Sequence, residues 1–127
     1  MTAGMDRYEQ GRAKLDEVYD GDVVPSAQGE SAFQDVMMTS LFADVWGRDV
    51  LSIRDRRLLL MGVIAAGGLP DIWAIQARAA LKRQELTPDE LRETLIILAP
   101  YAGYPKVSAL ILRTEAVIAE VHPPAES

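Results

Sequence analysis

Apolar residues recur along the chain at spacings of three and four, which is the period of an amphipathic α-helix. Strand-type alternation of apolar and polar residues is not found, and turn-forming residues separate the periodic stretches. The pattern therefore predicts an all-α fold of about six helices. The clearest apolar stripes are Tyr8, Leu15 and Val18; Phe33, Val36, Met37, Leu41 and Val45; and Val107, Leu110, Ile111, Val117, Ile118 and Val121.

Capping residues indicate where several of these helices begin and end. Asp20-Gly21-Asp22 ends the first helix, and Ser52 is placed to cap the third. Gly67-Gly68 ends the third helix, and Pro70 suits the first turn of the next one. Thr87-Pro88-Asp89-Glu90 has the form of a capping box, with a threonine N-cap and a glutamate three residues later.

The length of 127 residues predicts one domain over 1–127, with an ordered part of roughly 5–121 and a flexible tail at 122–127. The helices that begin near Leu58 and Leu91 are apolar on most sides. A small monomer can hardly bury so much apolar surface, so we expect a compact helical bundle that assembles as an oligomer.

Charge and composition exclude several classes of function. A net charge of −6, with 13 dispersed basic residues, argues against a nucleic-acid partner. The absence of cysteine excludes disulfides, thiolate metal sites and thiol peroxidase chemistry, and we expect neither a metal nor a cofactor. No secretory signal is visible, and the longest apolar run, Leu58 to Leu69, is too short for a bilayer. The sequence therefore predicts a soluble cytoplasmic protein without a membrane partner.

Five short motifs occur in an order and spacing typical of one family. They are Arg7-Tyr8-Glu9-Gln10-Gly11, Trp46-Gly47-Arg48, Arg54-Asp55-Arg56-Arg57-Leu58-Leu59-Leu60, Arg78-Ala79-Ala80-Leu81 and Tyr101-Ala102-Gly103-Tyr104-Pro105. Together they resemble the carboxymuconolactone decarboxylase family, within the superfamily that includes the alkylhydroperoxidase D proteins. The resemblance covers roughly residues 5 to 121. It implies an alkylhydroperoxidase D-like helical fold and assembly into trimers or hexamers.

The same resemblance implies a site on the helix before Arg78-Ala79-Ala80-Leu81. Family members use a glutamate and a histidine one helical turn apart there. The histidine position falls on Gln76, and the glutamate position falls on Ile72 or, with a shift of one residue, on Asp71. Gln76 can donate a hydrogen bond to an oxyanion but cannot transfer a proton near neutral pH. Asp71 either contributes to catalysis or only favours the helix dipole, and Gln76 either lines a site or packs as a polar core residue.

Other side chains are candidates for binding a carboxylated substrate. Arg54, Arg56 and Arg57 cluster at a helix start, where cations oppose the helix dipole. That conflict points to an anion or an acidic partner surface nearby, or else to salt bridges with some of the 19 acidic residues. The candidate substrate-binding residues are Trp46, Arg48, Arg56, Trp73 and Tyr104, with the tryptophans as pocket walls and the arginines as carboxylate clamps. His122, the only histidine, lies in the predicted tail.

Two functional hypotheses remain open at this point. The first is decarboxylation of a small carboxylated lactone or related organic acid, in which Gln76 polarises the carbonyl group. The second is a non-catalytic protein that binds a small ligand or serves as a structural oligomer. Loss of both ionisable groups, with retention of the packing motifs, is what the second hypothesis expects. A third, with Asp71 or a tyrosine carrying different chemistry, has little support in the residues.

Overall fold

The computed structural model describes residues 6–125, and within that range it contains helices and no strand. This confirms the all-α prediction. The chain divides into two compact units, Met1–Ile53 and Arg54–Ser127. One domain over 1–127 stays a prediction, and residues 126 and 127 of the expected tail lie outside the described residues. No helix within 6–125 is long and apolar enough to cross a membrane.

The N-terminal unit contains two helices. Helix α1 spans Arg7–Tyr19, capped by the Asp6 side chain, which accepts a hydrogen bond from the Glu9 amide at 2.8 Å. Helix α2, Ala32–Val36, begins at an N-cap serine and continues as a π-helical segment, Met37–Val45. The amide of Trp46 donates to the carbonyl of Leu41, five residues earlier, at 2.8 Å. π-Helical hydrogen bonding is rare over this length, and it changes the angular spacing of the side chains.

The buried side of the second helix differs from the side that the spacing of its apolar residues predicts. Met38 and Phe42 are the buried residues of the π-helical segment, and Phe42 lies edge-on to Tyr19 of α1 with ring centroids 6.1 Å apart. Phe33 and Val36, which belong to the predicted stripe, are exposed instead. The helix is apolar on two sides, so periodicity alone could not show which side packs against α1.

The second unit contains four helices joined by short turns. They are α3 Ile53–Gly67, α4 Pro70–Lys82, α5 Pro88–Ala102 and α6 Tyr104–Val121. The predicted capping box is confirmed, because the hydroxyl of Thr87 accepts from the Glu90 amide while the Glu90 carboxylate accepts from the Thr87 amide. Together with the two helices of the N-terminal unit, the described residues form the six predicted helices.

The core of the second unit collects small residues from α4 and larger aliphatic residues from its neighbours. Alanines at 74, 77 and 80 are buried, which lets α4 approach the other helices closely. The larger members of this core are Met61, Ile64, Trp73, Leu81, Leu86, Leu91, Leu95, Val107, Leu110, Val117 and Ile118. Helix α4 therefore contributes many buried residues to this core, and Gln76 is its buried polar residue.

Candidate functional site

A buried guanidinium lies at the centre of the second unit. Arg57, in the second turn of α3, has 0% of its surface exposed. Its Nε donates to Oε1 of Glu85 at 2.7 Å and its Nη2 donates to Oε2 at 3.2 Å, so the carboxylate holds one edge of the guanidinium bidentately. A buried charge costs several kcal/mol unless it is paired and hydrogen-bonded, and this geometry supplies both conditions.

Gln76, the residue at the family's histidine position, binds the same guanidinium. Its Oε1 accepts from Nη1 of Arg57 at 2.8 Å, and only 3% of the residue is exposed. Gln76 lies on α4, 19 residues after Arg57. The amide oxygen that could have faced a substrate is therefore engaged within the protein.

The turn after α4 brings the carboxylate to this centre. Gln84 has a φ of 59°, in the left-handed region that few non-glycine residues adopt. The next amide, that of Glu85, donates back to the carbonyl of Ala80 at 2.8 Å, which fixes the turn. Glu85 is thus held 28 residues from Arg57 in sequence but in direct contact with it.

Two further arginines converge on Glu85. The Nε of Arg83 donates to its Oε2 at 2.6 Å, and the Nε of Arg54 donates to its backbone carbonyl at 2.9 Å. Glu85 therefore joins α3 to the end of α4. We call Arg57, Gln76, Glu85 and Arg83 the buried polar cluster. Sequence reasoning missed Glu85, because a charged residue in the run from Lys82 to Glu85 is typical of a solvated turn.

Trp73 is also committed to the core. Its indole Nε1 donates to the hydroxyl of Thr114 on α6 at 2.9 Å, and that hydroxyl donates to the carbonyl of Leu110 at 2.8 Å. None of the Trp73 surface is exposed. Gln76 and Trp73 share the inward face of α4, as their spacing predicts, and that face packs inside the protein.

The remaining candidates on α4 lie away from the buried polar cluster. Ile72 is 43% exposed, so it does not share the buried environment of Gln76 although it is four residues away. Asp71 is exposed and binds Arg113 of α6, with Oδ1 to Nη2 at 2.8 Å. Asp71 thus forms an ion pair on the surface. This structural role is similar to the second alternative for Asp71, in which it only favours the helix dipole.

The other predicted site residues are spread over both units. Tyr104 is exposed at the start of α6, and Arg56 is half-buried on α3. Trp46 is buried and Arg48 is exposed just after the π-helical segment of the N-terminal unit. A role for any of these residues in substrate binding stays a prediction.

Among the described residues, the carboxyl groups with shifted pKa values lie on the surface. Arg78 of α4 binds Glu120 of α6, and this hydrogen bond holds the pKa of the Glu120 carboxyl below its usual range. Arg92 of α5 lowers the pKa of Glu115 in the same way. No three His, Cys, Asp or Glu side chains of the described residues gather as metal ligands would. These pairs brace α6 against α4 and α5 and offer no group poised for proton transfer near neutral pH.

One open groove lies on the second unit, between α3 and α5. It has a volume of about 330 Å³, and its lining residues are Arg54, Leu58, Leu86, Glu90, Glu93, Thr94 and Ile97. The groove mixes both signs of charge, and neither Gln76 nor Trp73 lines it. Gln76 therefore lies beneath the surface, and none of the positions that the resemblance marks, Gln76, Ile72 or Asp71, lines this groove.

These observations define an all-α protein in which a buried arginine of α3 binds a buried glutamine of α4 and a glutamate in the turn after α4. The sequence model described as the carboxymuconolactone decarboxylase family matches residues 31–116, which is more than half of the chain. The chain belongs to this family, and the resemblance seen in its motifs is confirmed. A comparison with curated proteins finds no match. Membership indicates a function like that of the carboxymuconolactone decarboxylases or of the alkylhydroperoxidase D proteins, and the absence of cysteine excludes cysteine-based peroxidase chemistry.

Proposed function

We propose that this chain is a non-catalytic member of the family that serves as a homo-oligomeric scaffold. The observation that carries the proposal is the hydrogen bond from Nη1 of Arg57 to Oε1 of Gln76, at 2.8 Å, between two buried side chains. A general acid or base has to reach the reacting atom within hydrogen-bond distance and change its protonation state. Gln76 has no proton to exchange near neutral pH, and its oxygen already binds a fixed cation.

Assembly into trimers or hexamers is part of the proposal. Leu59 and Val63 of α3 and Ile96 and Tyr101 of α5 are exposed on the single chain. Exposed apolar patches of this kind mark interaction surfaces in small proteins. A scaffold that keeps the family's packing motifs while losing its ionisable pair would retain such faces for association with further copies.

The competing hypothesis is decarboxylation of a small carboxylated lactone or a related acid. It requires Gln76 to meet the substrate, with Arg48 or Arg56 as the carboxylate clamp. The buried contact between Gln76 and Arg57 argues against this arrangement. The two hypotheses predict different effects on activity when the Gln76 side chain is removed.

The test compares the wild-type chain with Gln76→Ala in two measurements. A decarboxylase would release carbon dioxide from carboxymuconolactone, and the variant would lose that activity. We expect no carbon dioxide release above the buffer rate from either protein. An active family member that has the glutamate–histidine pair, assayed in parallel, is the positive control. We also expect Gln76→Ala to lower the free energy of unfolding by about 1–3 kcal/mol, because a buried guanidinium N–H loses its acceptor. Turnover by the wild type that depends on Gln76 would overturn the proposal.

A further inference from the structure

The open groove between α3 and α5 of the second unit has an aliphatic lining along much of its length. Its volume of about 330 Å³ lies near the lower end of the range of about 300–1,000 Å³ that ligand pockets have, so it suits a small occupant. Leu86 is buried, Leu58 is half-buried and Ile97 is exposed, so aliphatic side chains line the groove from its floor to its rim. The Thr94 hydroxyl donates to the carbonyl of Leu91 at 2.6 Å and is thus turned to its own helix. This part of the groove offers an occupant apolar contact.

The same groove contains a guanidinium that is anchored on one side. The Nε of Arg54 donates to the backbone carbonyl of Glu85 at 2.9 Å, which fixes the orientation of the side chain. Its Nη2 lies 3.7 Å from Oε2 of Glu90, and its Nη1 lies 3.8 Å from Oδ1 of Asp55, which does not line the groove. Both distances are longer than a hydrogen bond. Nη1 and Nη2 can therefore donate in parallel to a carboxylate while Nε stays anchored.

Two carboxylates share the groove with this guanidinium. The Oε1 of Glu90 accepts from the amide of Thr87 at 2.9 Å, and its Oε2 forms only the long contact with Arg54. Glu93 is exposed on the same helix, and no hydrogen bond or ion pair between described residues uses its carboxylate. The lining thus has one positive and two negative side chains. An anion alone would meet a net negative charge, and a cation alone would leave the guanidinium without a partner.

We propose that this groove binds a small zwitterion with an aliphatic tail, of the class of the free aliphatic α-amino acids. The carboxylate of the ligand accepts from Nη1 and Nη2 of Arg54, and its ammonium group lies against Glu93 and Oε2 of Glu90. Its side chain packs on Leu58 and Ile97. An α-amino acid carries both charges on one carbon, so its ionic groups can meet partners that stand as close together as Arg54 and Glu90, at 3.7 Å. The anchored guanidinium reduces the entropy that binding costs.

The first experiment titrates L-leucine into the full chain and follows binding by calorimetry and by NMR. Three smaller probes each lack one part of leucine: isocaproate has no ammonium group, isoamylamine has no carboxylate, and glycine has no side chain. We expect leucine to bind at millimolar concentrations and each of the three probes to bind roughly tenfold more weakly or worse, because each loses one kind of contact. Isocaproate or isoamylamine that binds as tightly as leucine would overturn the proposed ligand class.

Two variants test whether leucine occupies this groove. Glu93→Gln is nearly isosteric and should weaken leucine binding several-fold without weakening the binding of isocaproate, which has no ammonium group. Arg54→Lys keeps the positive charge but not the planar fork, and it should weaken both ligands. Glu30→Gln is the matched control, since Glu30 is an exposed glutamate of the N-terminal unit, and it should change neither affinity. Circular dichroism checks that the variants fold, and Glu93→Gln alone decides the test if Arg54→Lys does not fold.

The outcomes separate this proposal from the proposed scaffold function. None of the exposed residues offered for assembly lines the groove, so ligand binding does not depend on the oligomer. No leucine binding at millimolar concentrations, or leucine binding that both variants leave unchanged, would overturn the ligand site and leave the scaffold proposal intact. Release of carbon dioxide by the wild type would overturn the scaffold proposal and leave the ligand site intact.

Discussion

Replacement of Glu85 by glutamine tests whether the buried polar cluster stabilises the fold. The change is nearly isosteric, so it leaves the packing volume in place and removes only the negative charge. Arg57 would keep its acceptor on Gln76 at 2.8 Å but would lose a bidentate partner at 2.7 and 3.2 Å. Its guanidinium would then be a buried cation without a counter-charge.

The expected magnitude follows from burial of both partners. The Arg57 side chain is 1% exposed and the Glu85 side chain is 6% exposed, so solvent cannot replace the lost interaction. Removal of one partner from such a buried pair costs about 3–5 kcal/mol. For a chain of this length, that loss lowers the melting temperature by roughly 10 °C or more.

Urea and thermal unfolding followed by circular dichroism, at one fixed protein concentration, measure the effect. Glu115→Gln is the matched control, because it breaks an arginine–carboxylate pair of similar geometry with Arg92 on the surface. The control should cost no more than about 1 kcal/mol. Equal losses in the two variants would refute the reasoning, because burial would then make no difference. The double variant Arg57→Met with Glu85→Leu should recover part of the loss, since neither member of the buried Arg57–Glu85 pair is left as a charge without the other.

Three further predictions concern other parts of the fold. Thr114→Val removes the acceptor of the Trp73 indole N–H and should cost about 1–3 kcal/mol in urea unfolding, because a buried donor is left unpaired; an unchanged midpoint would contradict this. Gly11→Ala should destabilise the N-terminal unit by about 1–3 kcal/mol or more, since its Cβ would overlap the carbonyl oxygen of Met38, and limited proteolysis of α1 would report the loss. The pKa of Glu115 is lowered by its arginine partner from the usual 4.5, so its stabilising contribution is present above that value and is lost as the pH falls through the lower, folded-state pKa. The melting temperature of Glu115→Gln should therefore fall less steeply than that of the wild type below about pH 4.5.

The elements that local chemistry determines could be predicted from the sequence. The capping box at Thr87 depends on a threonine, a proline and a glutamate at fixed spacing, and the structure has both of its hydrogen bonds. Pro70 begins α4, and α3 ends at Gly67. Each of these boundaries depends on residues within one helical turn, so a single sequence contains what is needed to predict it.

The N-terminal unit shows where periodicity stops being informative. Apolar residues at 33, 36, 37, 41 and 45 have helical spacing, yet Met38 and Phe42 are the residues that become buried. The helix is apolar on both sides, and its π-helical hydrogen bonds shift the faces away from the spacing of an α-helix. Only the position of α1 selects the buried side, and that contact depends on the close approach at Gly11.

The residues of the buried polar cluster are far apart in the sequence, so no local pattern predicts their contacts. Arg57 and Gln76 are 19 residues apart, and Glu85 is 28 residues from Arg57. The conflict between three arginines and the dipole at the start of α3 did indicate that an anion is needed there. Salt bridges to acidic residues, one of the alternatives, explain Arg57 fully. Glu85 reaches Arg57 through the left-handed turn at Gln84, and no residue type in that turn predicts this conformation.

In the non-catalytic protein that we propose, the residue at this position is coupled to stability. An imidazole introduced by Gln76→His would lie beside the guanidinium of Arg57, and a neighbouring cation disfavours the protonated form that a general acid needs. Replacement of Arg57 would remove that effect. It would also take from the buried Glu85 carboxylate its bidentate partner, and Arg83 would be the other member of the cluster that still binds it. Proton transfer at residue 76 thus requires changes at several contacting positions together, each of which alone destabilises the unit. Under the proposed function, the cluster stands where the family has its acid–base pair, and the cost of changing it opposes a gain of the family reaction.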